Sequence, residues 1–151
     1  MYIFEITEIT AEIYAAFERL IPQLSSNPVP NRAELEEIVA QGICTLMAAR
    51  DPDEHGPVVG TLALVVFRTP NDMHALIEDV VVDQAARGRG VGEALTRAAL
   101  ERAAARGLSK VDLTARPARE AANRLYRRIG FQPRQTNVYF YTIEQPPFRP
   151  E

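Results

Sequence analysis

Apolar positions change period several times along the chain, and the changes mark its elements. Tyr2 to Thr7 alternates apolar and polar residues, which predicts a strand. Ile13, Ala16, Phe17, Leu20 and Leu24 then recur at helical spacing, so Ala11 to Leu24 is expected to be a helix. The stretch Ser25-Ser26-Asn27-Pro28-Val29-Pro30 is rich in turn residues and reads as a loop. Asn31 can cap a second helix running to about Gln41, with Glu34 near its positive end and Gly42 closing it. Ile43 to Arg50 and Val58 to Phe67 read as strands joined by the turn-rich run from Asp51 to Pro57, a hairpin pattern. Ala75 to Asp83, rich in Val and Ile, predicts a further strand.

A glycine-rich turn follows, and then the Ala- and Leu-rich stretch Val91 to Arg106, a helix ended by Gly107. Val111 to Ala115 predicts a short strand. Arg119 to Ile129 carries an apolar stripe at Ala122, Leu125, Tyr126 and Ile129 and ends at Gly130, so it predicts the last helix. Phe131 onward and Asn137 to Ile143 are read as one or two final strands. The element order is β-α-α-β-β-β-α-β-α-β-β. Hairpin strands followed by a strand-helix-strand crossover predict an α/β (α+β) fold. Its central sheet should be mixed, mostly antiparallel, with six or seven strands and helices on both faces. One domain is expected over residues 1–144, with a loose tail over 145–151 that shows no periodicity.

With 151 residues the chain suits one domain of ordinary size, and its 46% apolar and 25% charged residues are those of a globular protein. A net charge of −3 argues against a general nucleic-acid binder, which needs a basic field. The arginines nevertheless cluster between Arg87 and Arg134, a distribution suited to a small anionic ligand. The single cysteine, Cys44, lies in an apolar run and reads as a structural thiol. No signal-peptide pattern opens the chain, and its longest apolar run, Val58 to Phe67, is too short to span a bilayer. The expectation is a cytoplasmic protein with no membrane partner.

The chemistry concentrates where the strand Ile77-Glu78-Asp79-Val80-Val81-Val82-Asp83 meets Arg87-Gly88-Arg89-Gly90-Val91-Gly92 and a helix. Glycines let backbone approach a ligand closely. At a helix N-terminus the exposed N–H groups and the dipole favour an anion such as a pyrophosphate, to which Arg87 and Arg89 could add hydrogen bonds. A dinucleotide fingerprint fails, because Glu93 stands where the third glycine belongs. A P-loop fails for want of its Lys-Ser/Thr pair. A tight turn that merely needs glycine is the remaining alternative.

The surroundings resemble the GCN5-related N-acetyltransferase superfamily. Its acetyl-CoA signature, Arg or Gln, two residues, Gly, one residue, then Gly or Ala, is similar to Arg87, Gly90 and Gly92. Leu125-Tyr126-Arg127-Arg128-Ile129-Gly130-Phe131 resembles the family's later L-Y-x-x-x-G-F motif. The resemblance implies acetyl-CoA as co-substrate, without a metal. It implies that backbone groups of Gly88, Arg89, Gly90, Val91 and Gly92 hold the pyrophosphate. Val80, Val81 and Val82 would run beside the pantetheine arm, Val80 and Val82 pairing with it through main-chain groups. The strands Ala75 to Asp83 and Val111 to Ala115 should splay apart to admit that arm, with Asn123 and Tyr126 lining the gap. Arg119 stands where many members carry Asn, and its contacts are left open.

Acetyl transfer to an amine needs a proton acceptor for the attacking nitrogen and a donor for the leaving thiolate. The resemblance implies Tyr126 as the acid. Glu78 is the candidate base, through a water, because Glu78-Asp79 resembles the L-E-D segment of polyamine acetyltransferases. Strand geometry puts Glu78 and Asp79 on opposite faces unless a bulge intervenes, so only one should face the cleft. The Val80 N–H is a candidate donor to the thioester oxygen. His55 and His74 read as surface residues, and no cluster suggests a metal. Glu34, Glu36 and Glu37 read as a solvated helix face that could steer a cationic acceptor. The expected acceptor is the primary amine of a small molecule, attacking directly in a ternary complex. A protein lysine or N-terminus, a non-catalytic acyl-CoA-binding domain and an interaction module are the alternatives. The final strand could supply an edge for a homodimer.

Overall fold

The computed structural model describes residues 1–143. The tail expected over 145–151 lies outside the described residues. Among the described residues five strands form one open sheet in sequence order. They are β1 (Tyr2–Glu5), β2 (Cys44–Arg50), β3 (Val58–Arg68), β4 (Met73–Val82) and β5 (Asp112–Leu113). The first four pair antiparallel, and β5 joins β4 in parallel. The helices are α1 (Ala11–Leu24), α2 (Arg32–Gln41), α3 (Val91–Ala105) and α4 (Glu120–Ile129), with a 3₁₀ turn at Gln84–Ala86.

The sheet is mixed and mostly antiparallel, as its hairpin pattern predicts, but the strand count differs. Residues 131–143, expected to give one or two more strands, carry no regular structure. Their β-forming composition is real, yet a strand exists only where another strand satisfies its N–H and C=O groups. The strand expected over Val111 to Ala115 is likewise reduced to the two residues paired with β4.

Helices cover both faces. Leu46 and Ala48 of β2 point into a core with Ile13, Ala16, Phe17 and Leu20 of α1 and Leu35 of α2. The intervening Met47 and Ala49 point the other way, against Val91, Leu95, Ala99 and Ala103 of α3. This period-two division is the alternation expected of a strand between two helical layers. Local chemistry sets the helix starts. Thr10 caps α1 by accepting from the Ile13 N–H at 3.2 Å. Asn31 and Glu34 form a reciprocal capping box at α2, with bonds of 3.0 and 2.7 Å.

Candidate active site

The division of faces breaks once on β4, and the break builds the site. Ala75 and Ile77 face α3, and so do Val80 and Val82, while Val81 faces α1. Ile77 and Val80 are three residues apart, so the parity has slipped by one. The pairing with β3 shows where: Thr61 lies opposite Val81, but Ala63 lies opposite Glu78, which leaves one extra residue on β4. That residue is bulged, and Asp79 has φ 51° in the left-handed region. The bulge is the exception allowed for in the expectation that Glu78 and Asp79 occupy opposite faces. Both are exposed beside the bulge. They lie close enough that the Asp79 charge adds to partial burial in raising the Glu78 carboxyl above the ordinary glutamate range.

At the same point β4 parts from β5. Their pairing stops at Ile77 opposite Leu113, so residues 78 to 82 have no strand on that side. The chain beyond Leu113 leaves the sheet and turns at 116–119, where the Arg119 N–H bonds the Arg116 carbonyl at 2.9 Å. The Asn123 side chain fixes this turn by donating to the carbonyls of Arg116 and Arg119, each at 2.9 Å. Asn123 is thus a positioning residue whose amide nitrogen is already occupied. Arg119 reaches across to the Leu24 carbonyl at the end of α1, at 3.2 Å.

At the end of β4, Asp83 accepts from the Ala85 N–H and caps the 3₁₀ turn. Arg19 holds Asp83 from α1 at 2.8 Å, and the Gln23 side chain accepts from the Gln84 N–H at 2.8 Å. The turn then runs through Gly88 and Gly90 at φ 76° and 82°, where an L side chain is strained, into α3. Gly90 precedes the helix with no side-chain cap, and the first intrahelical bond is from the Ala94 N–H. The N–H groups of Val91, Gly92 and Glu93 are therefore the free first-turn donors of α3. Glu93 would oppose an anion there, but Arg97 and Arg128 bind its two carboxylate oxygens at 2.8 and 2.7 Å. Arg87 bonds back to the Val82 carbonyl at 3.3 Å, and Arg89 is paired with Asp51.

Gly60 on β3 brings this turn onto the sheet. A Cβ there would lie 2.9 Å from the Val81 carbonyl oxygen and 3.0 Å from Val91 Cγ1. Its absence lets the first turn of α3 rest on the sheet. Nothing in the sequence distinguishes Gly60 from any other strand glycine, and Arg19 and Gln23 likewise carry no local signal of their part in holding the turn.

Tyr126 lies on the half-buried stripe of α4, and the motif around it is a helix-ending device. Gly130 stops the helix at φ 118°. The Phe131 N–H then bonds the Tyr126 carbonyl at 3.0 Å and the Gly130 N–H bonds Arg127 at 3.1 Å, a Schellman arrangement. It folds the Phe131 ring edge-on against the Tyr126 ring, with centroids 5.8 Å apart. Burial raises the Tyr126 phenol above the ordinary tyrosine range, with Arg119 opposing the shift, so the phenol stays protonated at neutral pH.

Other candidates have local roles. Glu34 belongs to the α2 capping box, Glu36 pairs with Arg32 and Glu37 accepts from Gln41. Cys44 is half-buried, with its thiol pushed up by burial, which fits an inert group. His74, expected at the surface, is half-buried, stacked on Phe67 and bonded to Thr69 at 3.1 Å. Among the described residues no group of side chains could hold a metal ion, and no helix is long and apolar enough to cross a membrane.

Known proteins are similar to this chain in sequence and in fold. The model of the Acetyltransferase (GNAT) family matches residues 8–131. A glucosamine 6-phosphate N-acetyltransferase of rice, Oryza sativa subsp. japonica, is 33% identical over 138 residues, covering 87% of this chain and 82% of the relative. An acetyltransferase of Trypanosoma brucei superposes with a TM-score of 0.76 at 22% identity, covering 93% of this chain and 99% of the other. Glucosamine-6-phosphate N-acetyltransferase of Arabidopsis thaliana superposes with a TM-score of 0.74 at 19% identity, over 93% and 99% of the two chains.

Proposed function

Because the chain belongs to the GNAT acetyltransferase family and is an N-acetyltransferase, we propose that it moves the acetyl group of acetyl-CoA to the primary amine of a small molecule. The observation that carries the reading is the pairing of two features at one place. An uncapped helix N-terminus ends the glycine turn, and β4 has lost its neighbour from Glu78 to Val82. The free N–H groups of α3, with those of Gly88 and Arg89, suit a pyrophosphate. The open side of Val80 to Val82 suits an extended amide-bearing arm, which binds as an added strand. Arg87 is the nearer cationic partner for the phosphates, since Arg89 must first leave Asp51.

In this arrangement the amine nitrogen attacks the thioester carbonyl carbon. The Val80 N–H stabilises the oxyanion. Glu78, whose raised pKa makes it a better base than an ordinary carboxylate, takes the amine proton through a water. The carbon–sulfur bond then breaks, and Tyr126 gives its proton to the departing thiolate. No step needs a metal. The rice relative makes glucosamine 6-phosphate the first acceptor to try. The test is thiol release from acetyl-CoA over a panel of amines containing that compound, other amino sugars, polyamines and a lysine peptide. Turnover with a small amine supports the proposal. Turnover with the peptide alone, or with nothing, refutes it.

A further inference from the structure

Glu34 and Glu93 both stand at the third position of a helix, and their carboxylates do different things. In α2, Glu34 turns back to accept from the Asn31 N–H, and Asn31 caps in return. In α3 the cap is Gly90, which has no side chain to reciprocate. Glu93 turns away from the helix start instead. Arg97, one turn on, donates to Glu93 Oε1 from Nε at 3.0 Å and from Nη2 at 2.8 Å. Arg128, in the last turn of α4, donates to Glu93 Oε2 at 2.7 Å. Each oxygen thus has its own arginine. The first pair lies within α3, and the second joins two helices.

A carboxylate in the first turn suits the helix dipole but repels an anion bound at the same N–H groups. What it does for α4 offsets that repulsion. Leu125 and Arg128 are three residues apart and share one side of α4. Leu125 lies over Gly92, where an added Cβ would stand 3.4 Å from Leu125 Cδ2. By this side α4 rests on Gly92 and Glu93, while the next residue, Tyr126, turns to Phe131. No residue of α4 is fully buried, so packing holds it lightly and the bond from Arg128 to Glu93 weighs the more in fixing it.

We propose that Glu93 is a positioning residue. Through Arg128 it fixes α4, and with it Tyr126, against the turn that takes the phosphates, and its charge weakens phosphate binding in exchange. Arg97 softens that repulsion without touching α4. The catalytic consequence rests on the acetyl-transfer reading; the tie between the two helices does not.

The test compares Glu93→Gln, Arg128→Met, the double variant and Arg97→Met in the full chain. An exposed ion pair adds little to global stability, so all four should melt near the parent. Hydrogen exchange of the α4 amides should be faster in Glu93→Gln and in Arg128→Met, no faster in the double variant, and unchanged in Arg97→Met. This arm needs no turnover, so its failure is distinct from failure of the acetyl-transfer reading. By calorimetry, Glu93→Gln should bind acetyl-CoA about two- to fivefold tighter, and Arg128→Met and Arg97→Met weaker by a similar factor. The kcat should nevertheless fall by about tenfold in both Glu93→Gln and Arg128→Met, with Arg97→Met near the parent. Arg128→Lys, which keeps a charged donor, should recover most of that loss. Parent-like exchange of α4 in Glu93→Gln overturns the proposal. So does weaker acetyl-CoA binding by Glu93→Gln, or a kcat loss in Arg97→Met equal to that in Arg128→Met.

Discussion

Gly60→Ala separates two effects of opposite sign. A strand glycine is less favourable than alanine by about 0.5–1 kcal/mol, so on backbone grounds alone the substitution would stabilise. The packing decides otherwise. The added methyl would meet the Val81 carbonyl oxygen at 2.9 Å, Val91 Cγ1 at 3.0 Å and Leu95 Cδ1 at 3.2 Å. The first neighbour is backbone and the second belongs to the first residue of α3, so neither can swing aside as a flexible chain end would. Overpacking costs about 1–3 kcal/mol, and with two unyielding neighbours the upper part of that range applies, about 2–3 kcal/mol, which against a gain of about 1 kcal/mol leaves a net loss of about 1–2 kcal/mol. For a domain of this size that lowers the melting temperature by about 2–8 °C. The relief available is a shift of the first turn of α3 off the sheet, which moves the donors of the Arg87 to Gly92 turn. Acetyl-CoA affinity should then fall by on the order of tenfold. Urea unfolding and calorimetry on the purified variant read the two quantities. Adding Leu95→Val should restore part of the stability and little of the affinity, because the carbonyl contact remains. A variant as stable as the parent with unchanged affinity would refute the reasoning.

Three further outcomes follow from the site. Tyr126→Phe keeps the ring contact with Phe131 and removes only the hydroxyl proposed as the acid, so steady-state assays should show kcat down by about 10²–10⁴ with the KM for acetyl-CoA little changed. For Glu78, burial and Asp79 raise the folded pKa, so its protonated form favours folding and that contribution is lost as pH rises through the folded pKa. Glu78→Gln should accordingly be no less stable than the parent at neutral pH, yet slower, and the acid limb of its kcat/KM profile should vanish; an unchanged limb contradicts the base assignment. For Asp83, the hydrogen bond from Arg19 and then that from Ala85 lower the folded pKa, so its contribution is present above the unfolded pKa and lost as pH falls through the folded one. Chemical denaturation of Arg19→Met should show a flatter acid decline than the parent.

The sequence makes legible what is local. Asn31 and Glu34 declare the start of α2, and the period of Ile13, Ala16, Phe17 and Leu20 declares the buried face of α1. The glycine turn is legible for the same reason, since Gly88 and Gly90 are demanded by their own φ angles. What escapes is set by partners. The bulge at Asp79 exists in the register between β3 and β4, and no residue in Glu78-Asp79-Val80 announces it. Gly60 matters because α3 lies above it, some thirty residues on along the chain. Asn137 to Ile143 has every local mark of a strand, and pairing within the described chain does not supply its neighbour. The helical spacing puts Asn123 on the last helix, but its amide bonds to the Arg116–Arg119 turn depend on how that turn folds.

The central claim is that the turn from Arg87 to Gly92 holds the pyrophosphate of acetyl-CoA. Calorimetric titration with acetyl-CoA and with acetyl-pantetheine, which lacks the pyrophosphate and the nucleotide attached to it, tests it most directly. Two charge-assisted hydrogen bonds lost at about 1.5–3 kcal/mol each make a difference of roughly two orders of magnitude or more. One acetyl-CoA should bind per chain, at least about a hundredfold tighter than acetyl-pantetheine. Equal affinity for the two compounds, or no binding of either, would contradict it.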